Sequence, residues 1–206
     1  MRPTATEAAA YQGLHAAAHR VDLAAIQRLA GKKVALAARD SAERTPLHVA
    51  TIARQHQAVQ ALLQSGADHA AFEQGRYDAV TIAAVADDEE TLRVLVTGGA
   101  SAKLTTSRHD GTALIAAAHL GHDGVVRQLI NAGAPLDHVN KLYWPAVIEA
   151  IVLRDGGLRH QATLKALLDA GASTQLADRS GATPLQLARA RGYTAMVQML
   201  QAASAR

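Results

Sequence analysis

Thr45-Pro46-Leu47-His48-Val49-Ala50, closed sixteen residues later by Gly66-Ala67, is the stretch whose reading decides the fold of this 206-residue chain. Its parts return along almost the whole sequence. The threonine position is held in turn by Gln12, Thr45, Asp78, Thr112, Pro145 and Thr183, at steps of 33, 33, 34, 33 and 38 residues by subtraction. A fixed period of this length means one small unit repeated, each unit touching only its neighbours. Such an array offers a long surface and no enclosed cleft, which points to binding.

The chemistry of one unit follows from its residues. A Thr at a helix N-cap offers its hydroxyl to backbone N–H groups that have no partner in the first turn. Pro at the next position has a fixed φ and no N–H to leave unsatisfied. Leu47 and Ala50 lie at helical spacing and bury one face. Gly121 and Gly192 fall where two helices must turn, and a positive φ costs glycine little. A second helix carrying Val59, Leu62 and Leu63 stops at Gly66, and a polar finger such as 68–74 leads to the next unit.

Composition agrees with helices. Hydrophobic residues reach 49% but aromatics only 3%, so Ala, Leu, Val and Ile must build the core, and these suit close helix packing rather than a sandwich or barrel. The net charge of +3, from 21 basic and 18 acidic residues, is small and scattered, without the clustered basic face that nucleic acid requires. No cysteine is present, which excludes disulfides. The first ten residues lack the apolar stretch of a secretory signal, and no eighteen-residue apolar run exists to insert in a membrane. The chain as given therefore reads as cytoplasmic, or periplasmic if a signal peptide has been removed.

These residues resemble those of ankyrin repeats from about Ala8 to the C-terminus. The last unit, Asp178-Arg-Ser-Gly-Ala-Thr-Pro-Leu-Gln-Leu-Ala-Arg-Ala-Arg-Gly192-Tyr193, matches best. The resemblance implies an all-α ankyrin-repeat solenoid of about six helix-turn-helix units, the first and last acting as caps. Their bounds would be about 8–39, 40–72, 73–106, 107–139, 140–177 and 178–206, behind a flexible segment 1–7. A run like Trp144 to Gly157 is similar to that of small bacterial ankyrin proteins, some linked to catalases and some acting as immunity proteins. It also implies a monomer that works as a scaffold for another protein.

Four departures from the repeat stand out. Asp87-Asp88-Glu89-Glu90 replaces the inter-helix turn, either as carboxylates favoured by a helix dipole or as a cation site. The fifth unit is five residues longer, and the surplus is placed in a loop at 154–161 between its helices. Glu149 stands where an apolar residue is usual. It reads either as a buried acid or as the acceptor for backbone N–H groups of Asp155-Gly156-Gly157. Pro145 leaves the fifth unit's first helix without a capping hydroxyl.

No catalytic set emerges: there is no nucleophile elbow, no phosphate-cradling glycine loop and no opposed carboxylate pair. The chain thus reads as no enzyme, with no cofactor. Among ten histidines, His15 and His48 sit where the repeat uses histidine to bond backbone between units. His119 and His122 stand at zinc-ligand spacing, but Gly121 breaks the helix between them. A haem, metal or small-ligand carrier using groove histidines is the second reading.

Carried over from ankyrin repeats, a partner protein would lie in the concave groove and on the finger loops, faced by the residues just before the threonine position and those late in the first helix. They are Arg44, Tyr77, His109, Trp144, Arg179 and Ser180 on the fingers, with Ile52, Val85, His119, Leu120, Val152 and Leu153 on the helices. Trp, Tyr and Arg are the types enriched at interface hot spots. Trp144 reads equally as packing on the enlarged fifth unit.

Overall fold

The computed structural model describes residues 3–153 and 155–205, the side chains of residues 33 and 34 aside. The chain divides into two compact units, Met1–Ser101 and Ala102–Arg206. The first holds α1 (Ala5–Ala10), α2 (Gly13–Arg20), α3 (Leu23–Ala30), α4 (Lys33–Leu36), α5 (Pro46–Ile52), α6 (His56–Gln64), α7 (Ala79–Val85) and α8 (Glu89–Thr97). The second opens with a two-stranded antiparallel finger, β1 (Thr105–Thr106) and β2 (Gly111–Thr112). It continues with α9 (Ala113–Leu120), α10 (Asp123–Asn131), α11 (Ala146–Val152), α12 (Leu158–Asp169), α13 (Pro184–Ala190) and α14 (Thr194–Ser204).

Both units are built the same way. The first helices pack in a row, α2 on α5 on α7 and α9 on α11 on α13. The second helices form another, α3 on α6 on α8 and α10 on α12 on α14. A seven-residue helix such as α5 is too short to persist alone. Burial on its neighbours is what holds it, at roughly 1.5–3 kcal/mol for each fully buried Leu or Ile side chain. The largest fully buried side chains are aliphatic or Met, among them Leu47, Leu62 and Leu95 in the first unit and Leu114, Ile148 and Leu167 in the second. Alanines at the contacts, such as Ala50, Ala83 and Ala117, let the helices approach closely.

The local signals act as the repeat predicts. Thr45, Asp78, Thr112 and Thr183 each cap a first helix, accepting from the N–H of His48, Thr81, Ile115 and Gln186. Pro145 gives α11 no side-chain cap. At the ends of second helices, Gly66, Gly99, Gly133 and Gly171 all take positive φ. The following alanine N–H then reaches back to a carbonyl five residues earlier, as from Ala67 to Leu62 at 3.0 Å. Gly121 needs its lack of a side chain twice over. Its φ is +70°, and an added Cβ would lie 2.7 Å from the His160 ring.

His48 joins units. Its Nδ1 accepts the Thr45 N–H at 3.0 Å, so its Nε2–H donates to the Ala71 carbonyl, at 3.0 Å. His15 does the same toward the Arg44 carbonyl at 2.9 Å. In the acidic turn, Asp88 caps α8 by accepting from the Thr91 N–H, and Glu89 and Glu90 occupy the first helical turn where the dipole favours them.

Three expectations need correction. Segment 1–7 is not wholly loose: Thr4 and Glu7 form a capping box that starts α1, while residues 1–2 lie outside the described part. The surplus of the fifth unit is only partly loop, since Leu158 to Gln161 form the first turn of α12, and Arg154 lies outside the described residues. Within that turn His160 is buried and its Nε2 bonds the His119 carbonyl at 3.2 Å, closing the end of α9. Glu149, 4% exposed, does not serve the 155–157 loop. Asp155 does that itself, accepting from the Gly157 N–H at 2.9 Å. The Glu149 carboxylate instead accepts from Asn140 Nδ2 and from His119 Nδ1, both at 3.0 Å.

Two stability measurements follow. Burial pushes the His48 imidazole down to about 4, from 6.5. A depressed folded-state value means the unfolded chain binds the extra proton first. This contribution is therefore complete above pH 6.5 and is lost as pH falls toward 4, on the order of 3 kcal/mol in all. Denaturant titrations should show wild type losing stability across that window relative to His48→Gln, which cannot titrate; parallel pH curves would contradict the assignment. Glu149→Ala strands two donors and should lower the unfolding free energy by about 1–3 kcal/mol. An unchanged melting midpoint would refute the role given to that carboxylate.

Candidate protein-binding surface

Each finger is shaped by one side-chain oxygen placed five residues ahead of the helix-capping position. Asp40 Oδ1 accepts from the N–H of Ala42 and of Arg44, both at 2.9 Å. Asn140 Oδ1 accepts from Leu142 at 2.8 Å and Trp144 at 3.1 Å. Asp178 Oδ1 accepts from Ser180 at 2.8 Å and Ala182 at 3.0 Å. Ser107 Oγ serves His109 and Gly111 at 3.2 and 3.1 Å, and Glu73 Oε1 serves Tyr77 at 3.1 Å. Where this residue is Asp40, Glu73, Asn140 or Asp178, its own N–H also returns to the carbonyl four residues on.

The turn forces a left-handed residue two places before the cap: Glu43, Arg76, Asp110, Tyr143 and Gly181 all have φ between 52° and 82°. Four of the five are not glycine. The acceptor recurs at 40, 73, 107, 140 and 178 but escapes a motif search, because Asp, Glu, Ser and Asn share only an oxygen. Neighbouring fingers are tied by main-chain bonds, Gln74 N–H to the Ala42 carbonyl at 3.1 Å and Lys141 N–H to the His109 carbonyl at 2.9 Å.

In the first unit, two expected contact residues are withdrawn from the surface. Arg44 is 3% exposed. Its guanidinium pairs with Asp40 at 2.7 Å and with Glu7 of α1 at 2.9 Å, and Tyr11 donates to the same Asp40 at 3.0 Å. Burial and the bond to Asp40 push the Tyr11 phenol up to about 12. Arg44 thus anchors the N-terminal helix to the first finger. Ile52, at the end of α5, is 8% exposed and belongs to the core. Tyr77 is half-buried and Val85 exposed.

The second unit holds more accessible groups. His109 is exposed on its finger, and His119 and Leu120 are half-buried at the end of α9. Glu149 joins His119 to Asn140, so the buried carboxylate ties the end of α9 to the next finger turn. Trp144 and Val152 are half-buried and Leu153 is exposed. Ser180 and Arg179 are exposed, and the Arg179 guanidinium lies over the Tyr143 ring at 4.9 Å from its centre. Two further residues escaped the sequence reading: Leu142 and Tyr143, at the finger tip, are 45% and 51% exposed. Their signal was position, just after the turn acceptor.

Four of the histidines are committed to backbone: His15, His48, His138 and His160 each place Nε2 on a main-chain carbonyl. Among the described residues no three His, Cys, Asp or Glu side chains gather where they could hold a metal ion. No helix among them is long and apolar enough to cross a membrane.

The ankyrin repeat family matches the chain at residues 43–73 and 109–141. The ankyrin repeat protein YahD of Escherichia coli (strain K12) is 35% identical over 167 residues, covering 81% of this chain and 83% of its own. A crystallised ankyrin repeat domain from Acinetobacter baumannii AYE superposes with a TM-score of 0.86 at 40% identity, over 93% of this chain and 97% of that one. The ankyrin repeat domain of Bcl-3, a member of the IkappaB protein family, does so at 0.84 and 25% identity, over 94% and 86%. Ankyrin repeats are in general modules that bind other proteins. At 35% identity over four fifths of its length, this chain belongs to the ankyrin repeat family, and its named relatives in Escherichia and Acinetobacter are bacterial.

Proposed function

We propose that the chain is a non-catalytic scaffold that holds a partner protein against its fingers and the exposed ends of its first helices. The observation that carries this reading is the run Leu142-Tyr143-Trp144. Large apolar side chains stand partly in solvent there on a turn locked by Asn140. Exposed apolar and aromatic groups on a preformed frame lose little conformational freedom when a partner covers them. In the second unit His109, His119, Leu120, Val152, Leu153 and Arg179 complete the contact set. In the first, Tyr77 and Val85 remain, while Arg44 and Ile52 act from behind as supports.

The carrier alternative, with haem or a metal on groove histidines, draws no support from the placement of these side chains. Of the two histidines in the contact set, His119 already bonds Glu149.

The test begins with retrieval of a partner from a lysate of the source organism, followed by calorimetric titration. Trp144→Ala and Tyr143→Ala should each weaken binding by roughly 2 kcal/mol or more while the fold melts as before. Arg127→Ala, on α10, should bind like wild type. Full affinity in both aromatic variants would overturn the assignment.

A further inference from the structure

Building on that scaffold reading, we infer that the fingers of the second unit take an extended, acidic protein segment that carries an aliphatic or aromatic side chain among its carboxylates. The inference comes from how charge is distributed over the turns. The tips at 108–110, 141–143 and 179–181 carry Arg108, His109, Lys141 and Arg179 against a single carboxylate, Asp110. Nearby acids are committed to the fold. Asp178 Oδ1 accepts from two backbone N–H groups and from the Ser180 hydroxyl, and Glu149 is buried with both oxygens bonded. The cations are exposed, while Asp178 and Glu149 hold turns together.

Two of these cations suit a carboxylate in particular. Lys141 pairs with Asp110 at 3.1 Å, but both side chains are open to solvent, at 59% and 43%. An exposed pair of that kind contributes little, so an incoming carboxylate can take the ammonium at small cost. The Arg179 guanidinium sits over the Tyr143 ring, a contact that restrains the cation where its N–H groups can meet a carboxylate. Between them Leu142 and Tyr143 supply an apolar patch. The fingers of the first unit lack this bias. There Glu43 is exposed beside Arg39, and Arg76 leans on Phe72.

The experiment pans a library of short random peptides against the immobilised full chain and titrates the enriched sequences into variants. Enrichment in Asp and Glu around one apolar residue is expected. Affinity should fall about tenfold or more in the Lys141→Glu, Arg179→Glu double variant and fall with added salt, with no change in Arg76→Glu. Enriched peptides without acidic bias, or indifferent to the double variant, would overturn the inference. Where Trp144→Ala still weakened those peptides, the scaffold reading would survive the loss. A library with no enriched sequence overturns it too, and the scaffold reading is then judged by the calorimetric titration of the retrieved partner. An oligothymidylate that outcompetes every peptide would overturn it in favour of phosphate.

Discussion

A side-chain oxygen five residues ahead of the capping position, at 40, 73, 107, 140 and 178, organises this protein. It gathers the N–H group four residues on and, at every finger but that of Glu73, the one two residues on as well, turns the chain through a left-handed residue, and delivers the next residues into the cap of a helix. Leaving those N–H groups bare at a surface turn would give a mobile loop. Bonded, they make a finger whose shape exists before any partner arrives. The left-handed residue carries a strain of about 1–2 kcal/mol wherever it is not glycine. That cost is tolerated at Glu43, Arg76, Asp110 and Tyr143 because the acceptor over-determines the turn.

The helices and fingers depend on each other. Seven- and nine-residue helices do not stand alone, so within each compact unit the first helices must bury their apolar faces on one another. The fingers set the spacing at which that stacking occurs, and histidines at 15 and 48 pin a finger to the helix before it. The fifth unit of the repeat keeps the scheme after losing its capping hydroxyl at Pro145. Glu149, one turn further on, draws Asn140 and His119 together and so ties α11 to the finger turn before it and to the end of α9, although the first turn of α11 has no side-chain cap.

What could be read from residues alone was whatever is local. Caps at Thr45, Asp78, Thr112 and Thr183, the proline after two of them, and the positive-φ glycines all act within five residues, and all stand where the period places them. Contacts between distant positions were opaque. Arg44 looked like a groove cation because its partner Glu7 lies 37 residues earlier, on a helix the composition of Met1 to Ala10 did not announce. Glu149 was read as serving the loop next to it in sequence, yet its partners are 9 and 30 residues before it. The surplus at 154–161 could be counted but not divided between loop and helix, because a lengthened α12 and a lengthened loop have the same number of residues. The finger acceptors were hidden for a chemical reason: Asp, Glu, Ser, Asn and Asp take the position in turn, and they share an oxygen rather than an identity.

The central claim is that the fingers are preformed by these acceptors, and amide hydrogen exchange tests it directly. In the wild-type chain the Leu142 and Trp144 amides should exchange slowly despite their place on an exposed turn. In Asn140→Ala they should approach the rate of an open loop, while Ala42, Arg44, Ser180 and Ala182 stay protected. Equal exchange at 142 and 144 in the two proteins would contradict the account.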